Sequence, residues 1–284
     1  MLSDELQQEL SRLIDAGWVA AAYAAQERPG LTAEARALVA EVLVRSGLPA
    51  GGDARFGSAL SSQLRQAAEF ATTGRLPWAA VDDDTLLEQG RGSREVAYWL
   101  ADQVLPAVGL LERMARPGAT FLDVGVGVGM IAAGMAERFD RLRVVGLDVL
   151  DRSLALAAVA VAGYANRVAL RRLDVAELSE VDSFDLAWLP TAFLPETAVR
   201  ASLPRLRAAL RPGGLLVVAL RFDSDLPLVR AIDALGAHLT GGSALGPAEV
   251  TQLLLAAGFD EVVPLPGTPL TGTLLGARRA GSPD

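Results

Sequence analysis

The chain has 284 residues, is 51% hydrophobic and carries a formal net charge of −8. This length allows one large domain plus a smaller one, and the acidic balance disfavours a nucleic-acid partner, because neutralising phosphates requires clustered cations. The chain has 26 arginines, one histidine, no lysine and no cysteine. The absence of lysine excludes Schiff-base chemistry, and the absence of cysteine excludes thiol nucleophiles, disulfides and cysteine-ligated metals. A single histidine excludes a multi-histidine metal site within one chain.

Helical patterns dominate the chain before residue 117. Apolar residues at helical spacing predict helices over 3–27, 31–44 and 58–72. Residues 93–115 predict a long helix, which Pro106 should kink or divide. We therefore expect a helical domain over residues 1–115 that covers the open edge of a following sheet.

The most informative segment is 120–132, where a hydrophobic strand leads into an acid, three glycines at alternate positions and the start of a helix. Glycine lets a ligand approach bare backbone, and the first N–H groups of a helix are unpaired. The glycines alone fit only a loose form of the dinucleotide fingerprint and do not identify the ligand. Asp123 stands two residues before Gly125, where a carboxylate would repel a pyrophosphate and suit a positively charged amino group.

Further predicted strands place acids and a proline at the same edge. Residues 141–148 end at Asp148, and the strand over 168–175 carries Asp174 near its end. A carboxylate at the tip of the strand after the glycine turn is placed to accept hydrogen bonds from ribose hydroxyls. A fourth strand covers 183–190.

The remaining segments complete an alternating pattern. An apolar run over 154–165 predicts a helix packed closely on the sheet, too short to span a bilayer. A Pro-Gly-Gly turn at 212–214 precedes a fifth strand, and residues 246–257 predict a helix before two final strands. The first residues lack the basic start of a signal peptide, so we expect a cytoplasmic protein with no membrane partner.

This series resembles the class I S-adenosylmethionine-dependent methyltransferases over roughly residues 115–280. The motifs are Asp-x-Gly-x-Gly-x-Gly at 123–129, the acids at the ends of the next two strands, and Leu-Arg-Pro-Gly-Gly at 210–214. The resemblance implies an α/β fold with a Rossmann-like seven-stranded sheet, in which five strands are parallel and one strand of the final pair is antiparallel. This domain would occupy residues 116–284.

The resemblance also implies S-adenosyl-L-methionine as the cofactor. Asp148 would take the ribose hydroxyls, Asp174 would meet the adenine amino group, and Pro190 would lie near the methyl group. The complete set of cofactor-binding residues implied in this way is Asp123, Gly125, Gly127, Asp148, Val149, Asp174, Val175, Leu189 and Pro190.

The helices before the sheet resemble the arrangement in small-molecule O-methyltransferases of secondary metabolism, whose helical part builds a homodimer and roofs the substrate pocket. Those enzymes usually carry a histidine base shortly after the fourth strand, a place that falls near Thr191–Phe193 and holds no histidine here. Residues 89–93 are a candidate contact for the cofactor's carboxylate. The candidate bases are His238 and Asp223, and the candidate substrate lining is Trp99, Trp188 and Phe193, with core packing an equal explanation for Trp188.

The favoured function is methyl transfer by in-line displacement to an oxygen, nitrogen or carbon atom of a small molecule. A carboxylate, an amine or an acidic phenol needs little help from a base, whereas a neutral alcohol needs one within reach. The alternatives are a protein that binds the cofactor for a non-methylating reaction, or a non-catalytic partner. A dinucleotide-dependent oxidoreductase is disfavoured by Asp123 and by the Pro-Gly-Gly strand.

Overall fold

The computed structural model describes residues 3–26, 28–49, 51, 54–74, 81–220, 226–267 and 272–281. The chain divides into two compact units. The first unit comprises Met1–Leu76 and Asp83–Gly92, and the second comprises Pro77–Asp82 and Ser93–Asp284.

Three helices build most of the first unit: α1 (Asp4–Ala25), α2 (Ala33–Arg45) and α3 (Ala54–Thr73). They lie close to the three predicted helices. The hydroxyl of Thr32 accepts a hydrogen bond from the N–H of Ala35 at 3.1 Å, so this residue caps α2 as its position predicts. Helix α1 packs against both α2 and α3.

The predicted helix over 93–115 begins earlier in the structure and is interrupted before it ends at residue 115. Helix α4 (Asp83–Trp99) begins ten residues earlier, continues through a π-helical stretch (Leu100–Val104) into the short α5 (Leu105–Ala107), and is followed by α6 (Leu111–Ala115). The break comes at Gly109, whose φ of +69° lets the N–H of Leu110 donate to the carbonyl of Leu105 at 2.9 Å, so this glycine rather than Pro106 divides the helix.

The boundary between the units falls between Gly92 and Ser93, earlier than the expected boundary at residue 115. The reason is packing. Leu100, Val104 and Met114 are fully buried in the same apolar cluster as Phe121 of the first strand, so this stretch belongs to the core of the second unit.

The second unit is built on a seven-stranded sheet with the order β3-β2-β1-β4-β5-β7-β6. Strand β7 is antiparallel to both of its neighbours, and the other pairings are parallel, which confirms the architecture that the resemblance implies. The strands are β1 (Thr120–Val124), β2 (Arg143–Asp148), β3 (Val168–Arg172), β4 (Phe184–Pro190), β5 (Leu210–Leu220), β6 (Glu261–Leu265) and β7 (Thr273–Arg278).

Helices cover both faces of this sheet, so its central strands are buried on both sides and mostly apolar. Consecutive residues of β1 show the division: Phe121 belongs to the cluster on one face and Leu122 to the cluster on the other. None of the helices in the described part of the chain has the length and apolar character needed to cross a membrane. The covering helices are α7 (Met130–Arg138), α8 (Asp151–Ala160), α9 (Glu196–Ala209) and α11 (Pro247–Ala256), while α10 (Pro227–Thr240) packs on the 3-10 turn Thr191–Phe193.

Two local predictions were wrong. Helix α8 is shorter than the apolar run over 154–165 and does not pack closely along its length, because one narrow face carries its buried residues, Ser153 and Ala157, while Val159 is 78% exposed. The Pro-Gly-Gly segment is part of β5 rather than a turn before it, and the irregular pairing of β4 with β5 in this region accommodates it.

Candidate functional site

The glycine turn lies at the carboxyl end of β1, as the sequence predicts. Gly125, Gly127 and Gly129 have φ angles of +64°, +54° and +80°, a region that side chains rarely adopt. A Cβ on Gly127 would come no closer than 3.8 Å to another part of the chain, whereas one on Gly129 would lie 3.0 Å from the Cβ of Ala157. Gly127 therefore leaves room for a ligand, and Gly129 allows the close packing of α7 on α8.

Asp123 presents a buried carboxyl group beside this turn. The residue is 1% exposed, and among the described residues no donor forms a hydrogen bond of normal geometry with either carboxyl oxygen. Burial raises the pKa of this carboxyl from 3.8 to about 7, the N–H of Ala132 opposes the shift, and the charge of Asp148 adds to it. A buried carboxyl without partners is unfavourable in the free protein, and an ammonium group of a ligand would satisfy it.

This raised pKa predicts a pH dependence of stability. The carboxyl keeps its proton in the folded chain up to about pH 7 but loses it near pH 3.8 when unfolded. Its contribution to the free energy of unfolding should therefore fall as pH rises from 4 to 7, by an amount on the order of 4 kcal/mol. Urea unfolding at pH 4 and pH 8 measures this fall, which Asp123→Asn should remove.

The matched control is Asp140→Asn, which changes an exposed acid and should keep the fall. The same variants test the ligand: affinity for S-adenosylhomocysteine should rise with pH up to about 7 in the parent chain and lose that rise in Asp123→Asn. An equal pH slope in the parent chain and in Asp123→Asn would contradict this role of the carboxyl.

Asp148 connects the tip of β2 to the glycine turn. Its Oδ2 accepts the N–H of Gly127 and its Oδ1 accepts the N–H of Leu150, both at 2.9 Å. Burial raises the pKa of this carboxyl, and the N–H groups of Leu150, Gly127 and Val149 oppose that shift. Each oxygen has a further lone pair, so the group can also accept hydrogen bonds from ribose hydroxyls.

The remaining cofactor candidates lie on the same edge of the sheet. Asp174, after β3, accepts the N–H of Ala176 at 2.9 Å through Oδ1, and no described residue donates to its Oδ2. Pro190, buried at the end of β4, has its Cγ 3.8 Å from where a Cβ on Gly125 would stand. Of the other candidates, Val149 is exposed after β2, while Val175 and Leu189 are buried.

Residues 121–214 match a family model described as a methyltransferase domain. A curated trans-aconitate 2-methyltransferase from Deinococcus radiodurans is 33% identical over 166 residues, which cover 53% of this chain and 62% of that protein. The chain therefore spans less than two thirds of the length of that relative.

Solved structures share the fold over the whole chain. An O-methyltransferase family protein from Burkholderia thailandensis has a TM-score of 0.68 at 16% identity, with 100% of both chains covered. Human N-acetylserotonin methyltransferase, solved in complex with S-adenosylmethionine, has a TM-score of 0.65 at 16% identity, covering 98% of this chain and 99% of that one.

The sheet order, the glycine turn and the family match agree. Residues 121–214 therefore form a methyltransferase domain, within a sheet that resembles that of the class I S-adenosylmethionine-dependent methyltransferases. The residues present fit the cofactor of that family, because an unpartnered buried carboxyl and an open, side-chain-free turn adjoin at the edge where Asp148 ends β2.

The three aromatic candidates for the substrate lining lie in different environments. Trp188 is 4% exposed within an apolar cluster, which corresponds to core packing rather than to substrate lining. Trp99 packs against the same cluster, and its indole N–H donates to the carbonyl of Pro266 at 2.8 Å, so its polar atom already has a partner. Phe193 is exposed in the 3-10 turn after β4.

The candidate bases have unequal support. His238 is an exposed residue in the last turn of α10, and the described contacts of the chain link α10 to the 3-10 turn Thr191–Phe193. This packing brings the helix carrying His238 to the turn where O-methyltransferases usually hold their base. Asp223 lies outside the described residues.

Sequence reasoning missed the contact that shapes this turn. A Cβ on Gly242 would overlap the carbonyl oxygen of Ala192, so the chain after α10 can approach the turn only with glycine at this position. Ser243 adds a hydrogen bond from its N–H to the carbonyl of Thr191 at 3.1 Å. The glycine pair at 241–242 is the sequence signal that could have indicated this close approach.

Proposed function

We propose that this protein transfers a methyl group from S-adenosylmethionine to a small organic molecule. The observation that carries the proposal is the buried, unpartnered carboxyl of Asp123 beside the open backbone at Gly127. The family match over 121–214 supports it. The match to a curated methyltransferase supports the same reaction class. Because the match covers only 62% of that protein, its substrate is not assigned to this chain.

The cofactor, when bound, supplies a methyl group made electrophilic by the sulfonium. In this proposal Asp123 binds the ammonium group of its methionine part, and Asp148 binds the ribose hydroxyls while holding the glycine turn in place. Asp174 uses its second oxygen for the adenine amino group. The protein's contribution to the reaction is then position and the exclusion of water.

We further propose that the methyl acceptor is a carboxylate oxygen of an organic acid. A carboxylate is already ionised at neutral pH and needs no general base, which suits a turn at 191–193 without histidine. The hydroxyl of Thr191 in that turn donates to the carbonyl of Ala219 at 3.0 Å, so its proton is engaged in the fold. The relative from Deinococcus radiodurans is named for methylating an organic acid, trans-aconitate.

The assembly we propose is a homodimer formed through the helical unit. Leu13, Ile14 and Trp18 of α1 are exposed large apolar side chains, and Trp18 is 72% exposed. Such a surface is typical of a protein interface. The net charge of −8 supports a reaction without nucleic acid. The cytoplasmic location expected from the sequence stays a prediction, as does a place in secondary metabolism.

Incubation with a labelled methyl donor tests the reaction. A panel of di- and tricarboxylic acids, with their fully esterified forms as controls, should give label only in the free acids, and alkali should release it as methanol. Label in amines or phenols instead would overturn the carboxylate acceptor but keep methyl transfer. Tight binding of S-adenosylhomocysteine without any labelled product would favour a non-methylating or non-catalytic protein.

A further inference from the structure

The first unit contains a charged cluster that methyl transfer does not use. Glu88 of α4 is 3% exposed and accepts two hydrogen bonds from Arg28, at 2.9 Å from Nη1 and 2.7 Å from Nη2. Arg91, one turn further along α4, donates to the same carboxylate. Two guanidinium groups therefore share one buried acid.

Polar side chains extend around this cluster. Arg28 also donates to the hydroxyl of Ser61 at 3.2 Å. The neighbouring Ser62, which is fully buried, donates to Gln89 at 2.8 Å and accepts from Gln66 at 3.0 Å. Removing so many polar groups from water costs free energy that a packed apolar interior would not, so stability alone does not account for the network.

The net charge of the Arg28–Glu88–Arg91 cluster indicates the charge of a ligand that could bind there. Two arginines against one glutamate leave an excess of one positive charge at neutral pH. The Arg91 side chain is 56% exposed, and in the described part of the chain its only hydrogen bond goes to Glu88. Glu88 thus anchors a guanidinium whose Nε and Nη2 stay available for a planar anion.

We propose that Arg91, with Arg28 behind it and Glu88 as the anchor, binds the carboxylate of a small organic acid. A guanidinium matches a carboxylate through two parallel N–H to oxygen bonds, and the excess charge favours an acid over its neutral ester. This site lies within the first unit. Glu88 and Arg28 act as positioning residues for Arg91.

Calorimetric titration of the full chain with trans-aconitate, used as a soluble tricarboxylate probe, tests the site. Arg91→Gln should weaken the binding at least about tenfold, and Arg91→Lys, which keeps the charge but not the fork, should weaken it less. The matched control is Arg45→Gln, which removes an exposed arginine of α2 that also pairs with a glutamate on its own helix and should leave the affinity unchanged.

Further arms separate this site from the proposed reaction. The trimethyl ester of the probe should not bind, and inorganic phosphate should compete only weakly. Asp148→Ala should keep the affinity for the probe while it loses affinity for S-adenosylhomocysteine, so failure of the cofactor site and failure of this site give different results. No saturable binding of the probe by the parent chain, or equal binding of the probe by Arg91→Gln, would overturn the proposal.

Discussion

Asp148→Ala should weaken the binding of S-adenosylhomocysteine by at least about 100-fold, because hydrogen bonds to a charged group contribute about 1.5–3 kcal/mol each and the ribose offers two hydroxyls. The substitution also removes the acceptor that holds the N–H groups of Gly127 and Leu150 at 2.9 Å. The glycine turn would lose its attachment to β2 at the same time. Titration calorimetry of the two proteins with this ligand measures the loss.

Asp151→Ala is the matched control for this prediction. It removes the same charge three residues further along the chain, but its carboxylate is largely exposed and makes only a loose ion pair with Arg172 at 3.3 Å. The affinity for S-adenosylhomocysteine should therefore stay within about twofold of that of the parent chain. A similar loss in both variants would mean that general electrostatics, rather than the contacts of Asp148, controls binding.

Gly242→Ala should lower the free energy of unfolding by roughly 3 kcal/mol. The added Cβ would overlap the carbonyl oxygen of Ala192, and backbone cannot move aside as a flexible side chain can. Relief requires the segment after α10 to separate from the 3-10 turn after β4, which would break the hydrogen bond from Ser243 to Thr191. Urea unfolding followed by circular dichroism measures the change.

Gly163→Ala provides the comparison, since a Cβ there meets no atom within 4 Å and the backbone needs no positive φ. Its effect on the free energy of unfolding should stay within about 0.5 kcal/mol. Because the turn after β4 borders the proposed methyl-transfer edge, Gly242→Ala should also reduce methyl transfer by more than it reduces cofactor binding. If both glycine variants unfold at the same urea concentration, the close approach at Ala192 does not constrain the fold.

Local patterns determined much of the second unit. The alternation of apolar strands and helices, with acids at the ends of successive strands, can be read from short segments of sequence and does not depend on how the side chains pack. Asp148 was identified because a strand tip after a glycine turn has few alternative positions. The full burial of Asp123 could not be read in this way, since burial depends on helix α7 and on strands far away in the chain.

The predictions for the aromatic residues and for the domain boundary depended on contacts between distant segments, which cannot be read from neighbouring residues. Trp188 and Trp99 are large aromatic residues of the kind that line substrate pockets. In the structure, Trp188 is buried in an apolar cluster and the indole N–H of Trp99 donates to the carbonyl of Pro266, and these partners lie in other segments of the chain. The same holds for residue 115 as a boundary, since Leu100 and Met114 share a buried cluster with Phe121 of β1, a contact between separate segments.

The sequence by itself determined the class of fold, the glycine turn and the acids at the strand ends, because these depend on the order of residues within short segments. The tertiary structure alone decided which carboxyl lacks a partner, that Gly242 must meet Ala192, and that Arg28 and Arg91 share Glu88. These outcomes depend on burial and on contacts between distant segments, such as Gly242 with Ala192 and Arg28 with Glu88, which residue order does not specify.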